Sequence, residues 1–357
     1  MTNTILIMAG GTGGHIFPGL AVAHELKKRG WHVNWLGTKD GMESRIVPDH
    51  GFKIDFLQIS GVRGKRLLSL FKIPFYLIKS LYHSNKVISR IKPNIILSMG
   101  GYVAFPGGVV SLFRNIPLIV HEQNSIPGLT NKLLSRFAER NLVGFPNALP
   151  KAEHTGNPVR KELHFRDDLE ERYGSRKGPL RILIMGGSRG ADTLNRVAPE
   201  AVSLFLTDQR PNIIHQCGLN KSESVMKKYE SKKLKADCHD FLSNMEEVYK
   251  YVDLLICRAG AMTVSEVTSI GIASIFIPFP HAVDDHQTKN ALFLVSIGAA
   301  ILIPERELSP SALASAIGKI DRNEAVKMAR KARQVYRPDS AQIIADVCIG
   351  EVTKNAS

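Results

Sequence analysis

Short apolar runs alternate along this chain with longer segments in which apolar residues recur at helical spacing. Residues 4–9 and 181–185 are two such runs, and each leads into a glycine-rich turn and then into a helical segment. A continuous apolar run of this length is typical of a strand that is buried in a parallel sheet. The alternation therefore predicts an α/β protein with parallel strands and right-handed crossovers.

Both halves of the chain carry this pattern. In the first half we predict strands at Thr4–Ala9, Trp31–Leu36, Asn94–Met99, Pro117–Val120 and Asn141–Phe145. Helices are predicted there at Phe17–Arg29, Leu67–Arg90, Phe105–Arg114 and Leu129–Phe137. In the second half we predict strands at Arg181–Met185, Ile213–Gln216, Leu254–Cys257, Ser274–Ile277 and Ala300–Ile303. The predicted helices are Thr193–Leu206, Met262–Ile270, Gln287–Ile297 and a C-terminal helical region that Pro338 interrupts.

The glycine-rich turn after a predicted strand occurs twice, at 10–14 and at 186–190. Backbone N–H groups and the helix dipole at such a turn can receive a phosphate. Ligands of open α/β sheets bind beyond the carboxyl ends of the strands. The repeat therefore predicts two Rossmann-like parallel-sheet domains that face a common deep cleft, and a length of 357 residues fits two domains.

The pattern of strands and helices breaks near 156–160, where a polar and charge-rich stretch begins. We place the joint between the domains there. The predicted organisation is an N-terminal domain at 1–156 and a C-terminal domain at 157–335. A helical tail at 336–357 follows, and we expect it to pack back on the N-terminal domain.

Composition excludes several classes of protein. A hydrophobic content of 44% with 22% charged residues is typical of a globular chain and not of a disordered one. The start of the chain does not resemble a secretory signal, and the glycines and prolines of 93–113 argue against a membrane span. The four cysteines form no C-x-x-C pair, so neither a disulfide framework nor a zinc site is predicted. We expect a cytoplasmic protein.

Positive charge is concentrated in the first half. The net charge is +14, and residues 1–155 carry 19 Lys and Arg against 8 Asp and Glu. No acidic residue lies between Asp55 and Glu122, where apolar residues are interleaved with the basic residues Arg63, Lys65, Arg66, Lys72, Lys79, Lys86, Arg90, Lys92 and Arg114. This combination predicts an anionic partner, and its apolar component favours an anionic membrane surface over nucleic acid.

The first glycine turn leads directly into His15. The turn matches neither G-x-G-x-x-G nor a Walker A loop, which disfavours an NAD enzyme or an ATPase. Its glycines allow a phosphate to approach the backbone closely, although they also suit a plain tight turn. His15 could act as a general base or as a capping or phosphate-contacting residue, and the residues alone leave both open.

Polar clusters follow other predicted strands, at Gly100–Tyr102 and at 121–124 in the first half. In the second half, residues 258–266 expose small residues at a helix start, and Glu266 could accept both hydroxyls of a ribose or simply favour the helix dipole. Asp284 and Asp285 are adjacent, but no Asp-x-Asp occurs in the chain, so we expect no dedicated metal site.

Six of these motifs occur in one order over nearly the whole chain, and jointly they are highly specific. They are Gly10–His15 with Phe17-Pro18-Gly19, Met99–Tyr102, His121–Asn124, Gly156–Arg160, Gly186–Ala191 and Thr263–Glu266. Together they resemble the MurG family, the UDP-N-acetylglucosamine:undecaprenyl-pyrophosphoryl-N-acetylmuramoyl-pentapeptide transferases of bacterial peptidoglycan synthesis.

The resemblance implies a GT-B fold and an inverting transferase that needs no metal or other cofactor. It implies that GlcNAc moves from UDP-GlcNAc to the C4 hydroxyl of the lipid-linked muramoyl acceptor, converting lipid I to lipid II. It also implies a peripheral protein on the cytoplasmic face of the inner membrane, with an anionic membrane surface and proteins of cell-wall synthesis and division as partners, and none among nucleic acids.

The family pattern also implies site residues. Donor contacts fall on Thr12, Gly13, Gly14, Asn124, Arg160, Ser188, Leu242, Ala261, Met262, Thr263, Val264, Ser265, Glu266 and Gln287. Glu266 would hold the ribose, and the main chain near Leu242 would hold the uracil. Arg189 replaces a more usual Gln, and Leu242 a more usual Ile, which leaves main-chain roles intact.

The acceptor is expected on the first domain, with its pyrophosphate near Gly13 and Gly14. Tyr102 matches a family position linked to the acceptor or to catalysis. His15 is the first candidate for the general base and Glu122 the second. Two other functions remain open: a non-hydrolysing UDP-sugar epimerase, which would act without an acceptor, and a membrane-associated nucleotide-sugar binding module, which would bind UDP-GlcNAc and transfer nothing.

Overall fold

The structure is a computed structural model, and it describes residues 3–57, 73–187 and 190–356. These residues form two compact units. The first unit falls within Met1–Val159 and Asp339–Ser357, and the second is Arg160–Pro338. The end of the chain therefore belongs to the unit that contains its beginning.

The first unit alternates strands and helices. Its elements before the second unit are β1 (Thr4–Ala9), α1 (Gly13–Lys28), β2 (His32–Thr38), α2 (Glu43–Asp49), β3 (Lys53–Leu57), α3 (Ile73–Ile91), β4 (Ile95–Gly100), α4 (Ala104–Phe113), β5 (Leu118–Glu122), α5 (Leu129–Leu134), β6 (Arg140–Val143) and β7 (Glu153–His154). The strands form one parallel sheet in the order β3-β2-β1-β4-β5-β6-β7. Its direction of winding reverses between β1 and β4.

The second unit repeats this architecture. Its elements are α6 (Leu169–Gly174), β8 (Arg181–Met185), α7 (Asp192–Ser203), β9 (Asn212–Gln216), α8 (Ser222–Ser231), β10 (Ala236–His239), α9 (Met245–Tyr251), β11 (Leu254–Cys257), α10 (Ala261–Ile270), β12 (Ala273–Phe276), α11 (His286–Val295), β13 (Ala300–Leu302), α12 (Pro310–Gly318) and α13 (Arg322–Gln334). The parallel sheet runs β10-β9-β8-β11-β12-β13 and reverses between β8 and β11.

The last helix, α14 (Ser340–Ala356), returns to the first unit. Its apolar residues Ile344, Ala345 and Cys348 are buried in the same core as the residues of α1 and β1. Arg29 at the end of α1 forms an ion pair with Asp346. The C-terminal helix therefore completes the hydrophobic core that lies on one face of the first sheet.

Most of the predicted elements are present in the structure. The strands β1, β8 and β11 have the predicted bounds. Helix α1 begins at Gly13, four residues before the predicted start, so its first turn contains the last glycines and His15. Residues 67–72 of the predicted Leu67–Arg90 helix lie outside the described residues, and the structure places α3 at Ile73–Ile91. The strands β3, β7 and β10 were not predicted.

The glycine-rich turns lie where each sheet reverses, after β1 and after β8. This is the point where ligands of open α/β sheets bind. Among the described residues, none of the helices is both long and apolar enough to cross a membrane.

Candidate active site

The first glycine turn connects β1 to α1 in the first unit. Gly11 has a φ of +90°, which is the region that favours glycine. Thr12 is the N-cap of α1, and its side chain makes no capping hydrogen bond. The first-turn amides of α1 therefore point beyond the sheet without a side-chain cap, and such amides can receive an anion.

Glu43 at the start of α2 anchors this turn from behind. Its buried carboxylate accepts hydrogen bonds from the Gly11 amide (3.1 Å), the Thr38 amide (2.9 Å) and the Thr38 hydroxyl (2.7 Å). A Cβ atom on Gly10 would lie 2.5 Å from its Oε1 atom. The glycine at position 10 is therefore needed so that the carboxylate can reach the turn.

His15 lies in the first turn of α1 and is half-buried. Its Nδ1 atom is 2.7 Å from Oε1 of Gln123, which is buried just beyond β5. The amide nitrogen of Gln123 donates to the carbonyl oxygen and to Nδ1 of His121, both at 3.0 Å. Nε2 of His121 is in turn 3.0 Å from the Gly156 carbonyl oxygen. Burial lowers the pKa of His121 to about 4, so this imidazole is neutral at neutral pH.

Glu122, which ends β5, has a different environment. Its carboxylate is buried and accepts from the amides of Asn124 (2.9 Å) and Gly128 (3.1 Å). The side-chain amides of Asn124 (3.3 Å) and Asn131 (3.0 Å) also donate to it. Four donors thus hold this carboxylate to the loop that it shapes, which favours His15 over Glu122 as a base.

Tyr102 follows β4, close to the glycine turn. Its hydroxyl is 3.3 Å from the Thr38 hydroxyl, and 38% of the residue is exposed. A Cβ atom on Gly11 would lie 3.9 Å from its ring. The phenol therefore lies beside the turn and remains accessible to a ligand.

In the second unit, α10 begins after β11, the strand next to β8 at the reversal of the sheet. Gly260 is its N-cap in an extended conformation, with no side-chain cap. Three side chains hold the loop that precedes α10. Gln287 accepts from the amides of Ala259 (3.2 Å) and Phe279 (3.0 Å), Asn290 donates to the Ala259 carbonyl (3.2 Å), and Arg258 forms an ion pair with Glu305. The first-turn amides of α10 are therefore fixed in place.

Glu266 lies one turn into α10 and pairs with Arg160, with 3.4 Å between Oε1 and Nη2. Burial raises the pKa of the Glu266 carboxyl, and Arg160 opposes this shift. Arg160 is about half-exposed, at 51% of its side chain. The Glu266 carboxylate therefore lies near the helix start. A bound ligand could either take the place of Arg160 beside this carboxylate or bind to both side chains.

The loop after β10 is tied to the second glycine turn. The Leu242 amide donates to Oε1 of Gln216 (3.1 Å), and the Gln216 amide donates to the Gly187 carbonyl (3.3 Å). Because its N–H is bonded in this way, Leu242 would bind a ligand through its carbonyl oxygen. Across residues 3–57, 73–187 and 190–356, His, Cys, Asp and Glu form no cluster of three that could hold a metal ion.

Comparisons with known proteins agree with this architecture. Residues 5–143 match the glycosyltransferase family 28 N-terminal domain, and residues 181–345 match the glycosyltransferase family 28 C-terminal domain. A protein of Ralstonia nicotianae, named UDP-N-acetylglucosamine--N-acetylmuramyl-(pentapeptide) pyrophosphoryl-undecaprenol N-acetylglucosamine transferase, is 48% identical over 98% of this chain and 96% of its own. This chain belongs to the MurG family within glycosyltransferase family 28.

Two further matches support this assignment to the MurG family. A protein of the same name from Cupriavidus necator is 47% identical over 97% of each chain. The crystal structure of Acinetobacter baumannii MurG matches with a TM-score of 0.87 and 37% identity, covering 98% of this chain and 99% of that one. The predicted α/β class, with two Rossmann-like parallel-sheet domains of GT-B type, is confirmed.

The described residues of the predicted MurG-family site fall into two groups, one in each unit. The first unit holds Thr12, Gly13, Gly14, His15, Tyr102, Glu122 and Asn124. The second unit holds Arg160, Leu242, Ala261, Met262, Thr263, Val264, Ser265, Glu266 and Gln287. Ser188, and its neighbour Arg189, lie outside the described residues.

Two members of the predicted set have few groups left to offer a ligand. The Val264 side chain is buried, and its amide donates to the Gly260 carbonyl at 3.0 Å. The Ser265 hydroxyl donates to the Ala261 carbonyl at 2.9 Å. Their donor contacts stay predictions, whereas Ala261, Met262 and Thr263 form the first turn itself.

Sequence reasoning missed two residues that shape the first unit's site, Gln123 and Glu43. Gln123 was visible only as one member of a polar cluster after a strand. Nothing in the sequence indicated the role of Glu43. It lies in a charged stretch, 32 residues from Gly11, whose amide donates a hydrogen bond to its carboxylate. Only the folded sheet brings β2 beside β1 and so places Glu43 under the turn.

Proposed function

We propose that this protein transfers GlcNAc from UDP-GlcNAc to the C4 hydroxyl of undecaprenyl-pyrophosphoryl-MurNAc-pentapeptide, converting lipid I to lipid II. The observation that carries the proposal is the 48% identity, over 98% of the chain, to a protein named for this transfer. The geometry of both units supports it, because each provides a place for a diphosphate.

The donor is assigned to the second unit. Its diphosphate would lie over the first-turn amides of α10, where the helix dipole favours negative charge. Glu266 would accept the ribose hydroxyls, and the Leu242 carbonyl would accept the imide N–H of uracil. Gln287 supports this site mainly through the loop amides that it binds.

The acceptor is assigned to the first unit. Its pyrophosphate would lie at Gly13 and Gly14, whose amides begin α1, and Tyr102 would lie beside the acceptor. His15 would take the proton of the C4 hydroxyl as that oxygen attacks the anomeric carbon of GlcNAc. The bond from that carbon to the UDP oxygen breaks on the opposite face, so the product is β-1,4-linked and the configuration inverts.

Charge on the departing UDP needs compensation during this step. Preorganised amides and a helix dipole can supply it without reorganisation. The proposal assigns that role to the start of α10, and it requires no metal ion.

The protein is further proposed to work as a peripheral protein on the cytoplasmic face of the membrane. Helix α3 supports this assignment through three apolar side chains at helical spacing, Phe75, Ile78 and Tyr82, which are 66–68% exposed. The exposed Lys79 and Lys86 lie on the same helix. An apolar face with cations around it suits an anionic lipid surface. Cell-wall synthesis and division proteins remain proposed partners.

The test is a transfer assay with radiolabelled UDP-GlcNAc and a short-chain lipid I analogue. We expect label in a lipid II product, unchanged turnover when EDTA is added, and β-1,4 linkage in the product. Isomerisation of UDP-GlcNAc without acceptor would instead indicate an epimerase. Binding of UDP-GlcNAc with no transfer to any lipid-linked acceptor would indicate a binding module.

A further inference from the structure

A chain of buried hydrogen bonds in the first unit begins at the Gly156 carbonyl oxygen. A carbonyl can only accept, so the Nε2 atom of His121, at 3.0 Å, must carry a proton. The low pKa of this buried imidazole keeps it neutral, so it carries one proton in all. Its Nδ1 atom is therefore an acceptor.

The next link is the side-chain amide of Gln123. Its nitrogen lies 3.0 Å from Nδ1 of His121 and 3.0 Å from the His121 carbonyl oxygen. Both of these atoms are acceptors, so the NH₂ group faces His121 and the carboxamide oxygen faces the other way. The backbone of Gln123 is also fixed, because Asn157 donates to its carbonyl at 3.0 Å.

The last link reaches His15. The Gln123 oxygen lies 2.7 Å from Nδ1 of His15, and a carboxamide oxygen can only accept. We infer that Gln123 is a positioning residue for the transfer, because it holds the neutral His15 imidazole with its proton on Nδ1 and leaves Nε2 as the proton acceptor. The inference rests on the proposed function in so far as His15 is the base.

Gly100 leaves room for the His15 ring at this edge. It has a φ of +100°, and a Cβ atom there would lie 3.2 Å from both Cε1 and Nδ1 of His15. The backbone at the end of β4 thus lies close to the ring edge that Gln123 binds. A side chain at position 100 would therefore crowd the imidazole where it meets Gln123.

The direct test is the tautomer of His15, observed by NMR on protein labelled with ¹⁵N-histidine. The His15 signals are assigned from their loss in a His15→Gln variant. We expect a protonated Nδ1 and an unprotonated Nε2 in the wild-type protein. This readout needs no activity, so it separates failure of the inference from failure of the proposed transfer. A proton on Nε2 of neutral His15 would overturn the inference.

The kinetic test is Gln123→Met, which keeps the side-chain length and removes both hydrogen-bonding groups. General-base catalysis is worth about 10²–10⁴-fold, and a misplaced proton forfeits part of this. We expect kcat to fall about 10- to 100-fold, with KM for both substrates within about threefold of wild type. The His15 proton should shift toward Nε2. Unchanged kcat would sink the positioning role.

The second unit offers a matched control. There the buried His215 donates from Nε2 to Oδ1 of Asn195 (3.1 Å), whose amide nitrogen donates to the Cys217 carbonyl (2.9 Å). Asn195→Leu breaks a network of the same chemistry that ends in no base. We expect Asn195→Leu to lose about as much stability as Gln123→Met and to retain kcat within about twofold of wild type. An equal fall of kcat in both variants would mean that lost stability, and not the His15 tautomer, lowers turnover.

Discussion

Buried polar side chains that bind backbone groups hold the candidate site of the first unit in shape. Glu43 accepts from Gly11 and Thr38, and Glu122 accepts from the loop that follows β5. Removing one partner of a buried hydrogen bond leaves the other unsatisfied, at a cost of about 1–3 kcal/mol. These residues therefore fix the positions of the backbone amides that would meet a ligand.

Glu43→Gln tests this view on a single residue. Glutamine keeps one oxygen and presents an NH₂ group where Glu43 accepts from a backbone N–H, either that of Gly11 or that of Thr38. We expect the free energy of unfolding to fall by about 1–3 kcal/mol, measured by denaturant titration. The KM for the lipid-linked acceptor should rise, because the glycine turn loses its anchor. Binding of UDP, measured by calorimetry, should not change.

Glu153→Gln is the matched control for the loss of one negative charge in the same unit. Glu153 pairs with Arg140 at the surface, with 44% of its side chain exposed, and exposed pairs of this kind contribute little. We expect neither stability nor acceptor KM to change appreciably. An acceptor KM at the wild-type value in folded Glu43→Gln would show that the turn keeps its position without this carboxylate.

Among the elements, strands with a continuous apolar run were predicted most accurately. The strands β1, β8 and β11 lie inside their sheets, and their central residues are buried, so each contains a continuous apolar run. The three strands that were missed, β3, β7 and β10, lie at sheet edges. Their sequences KIDFL, EH and ADCH contain charged residues and no apolar run longer than two, so they lack the signal of a buried strand.

Some features of the candidate site could likewise be predicted from the sequence, and others could not. Glycine turns and helix starts are encoded locally, so their positions could be predicted from neighbouring residues. The partners of His15 could not, since Gln123 lies 108 residues away and reaches it only through the order of strands in the sheet. Distant side-chain contacts of this kind have no local sequence signal.

Helix α3 carries the prediction for membrane binding. Replacing Phe75, Ile78 and Tyr82 together with Ser removes the exposed apolar face and leaves every charge in place. Burying one such side chain is worth about 1.5–3 kcal/mol, so the loss should weaken binding to vesicles that contain anionic lipid by at least tenfold. Cosedimentation with those vesicles measures the effect. Turnover on a soluble, short-chain acceptor should persist.

The control for that variant is Leu204→Ser with Leu206→Ser in the second unit. These leucines are 59% and 67% exposed and lie just after α7, outside the acid-free basic stretch of the sequence. We expect vesicle binding to remain at the wild-type level. Equal loss in both variants would mean that exposed apolar area in general, and not the α3 face, drives the association.

Across the whole molecule, each unit buries one neutral histidine inside its sheet. His121 lies in β5, and His215 lies in β9, where the Tyr229 hydroxyl and Asn195 are its partners. Burial lowers the pKa of each to about 4, with smaller contributions from His154 and Lys228 respectively. Acid should therefore weaken both units through the same chemistry.

The direction of this effect follows from proton linkage. Between pH 6.5 and 4 the unfolded chain binds a proton at each of these two histidines and the folded chain does not. Their contribution to the free energy of unfolding is therefore fully present above pH 6.5 and is lost as the pH falls toward 4. Each histidine accounts for about 3 kcal/mol of that loss. Denaturant titrations at pH 7 and pH 4.5 should show it. His121→Gln and His215→Gln should each be less stable at pH 7 yet lose less on acidification, whereas His281→Gln, at an exposed position, should behave as wild type. Equal acid sensitivity in all four proteins would place the effect on other groups.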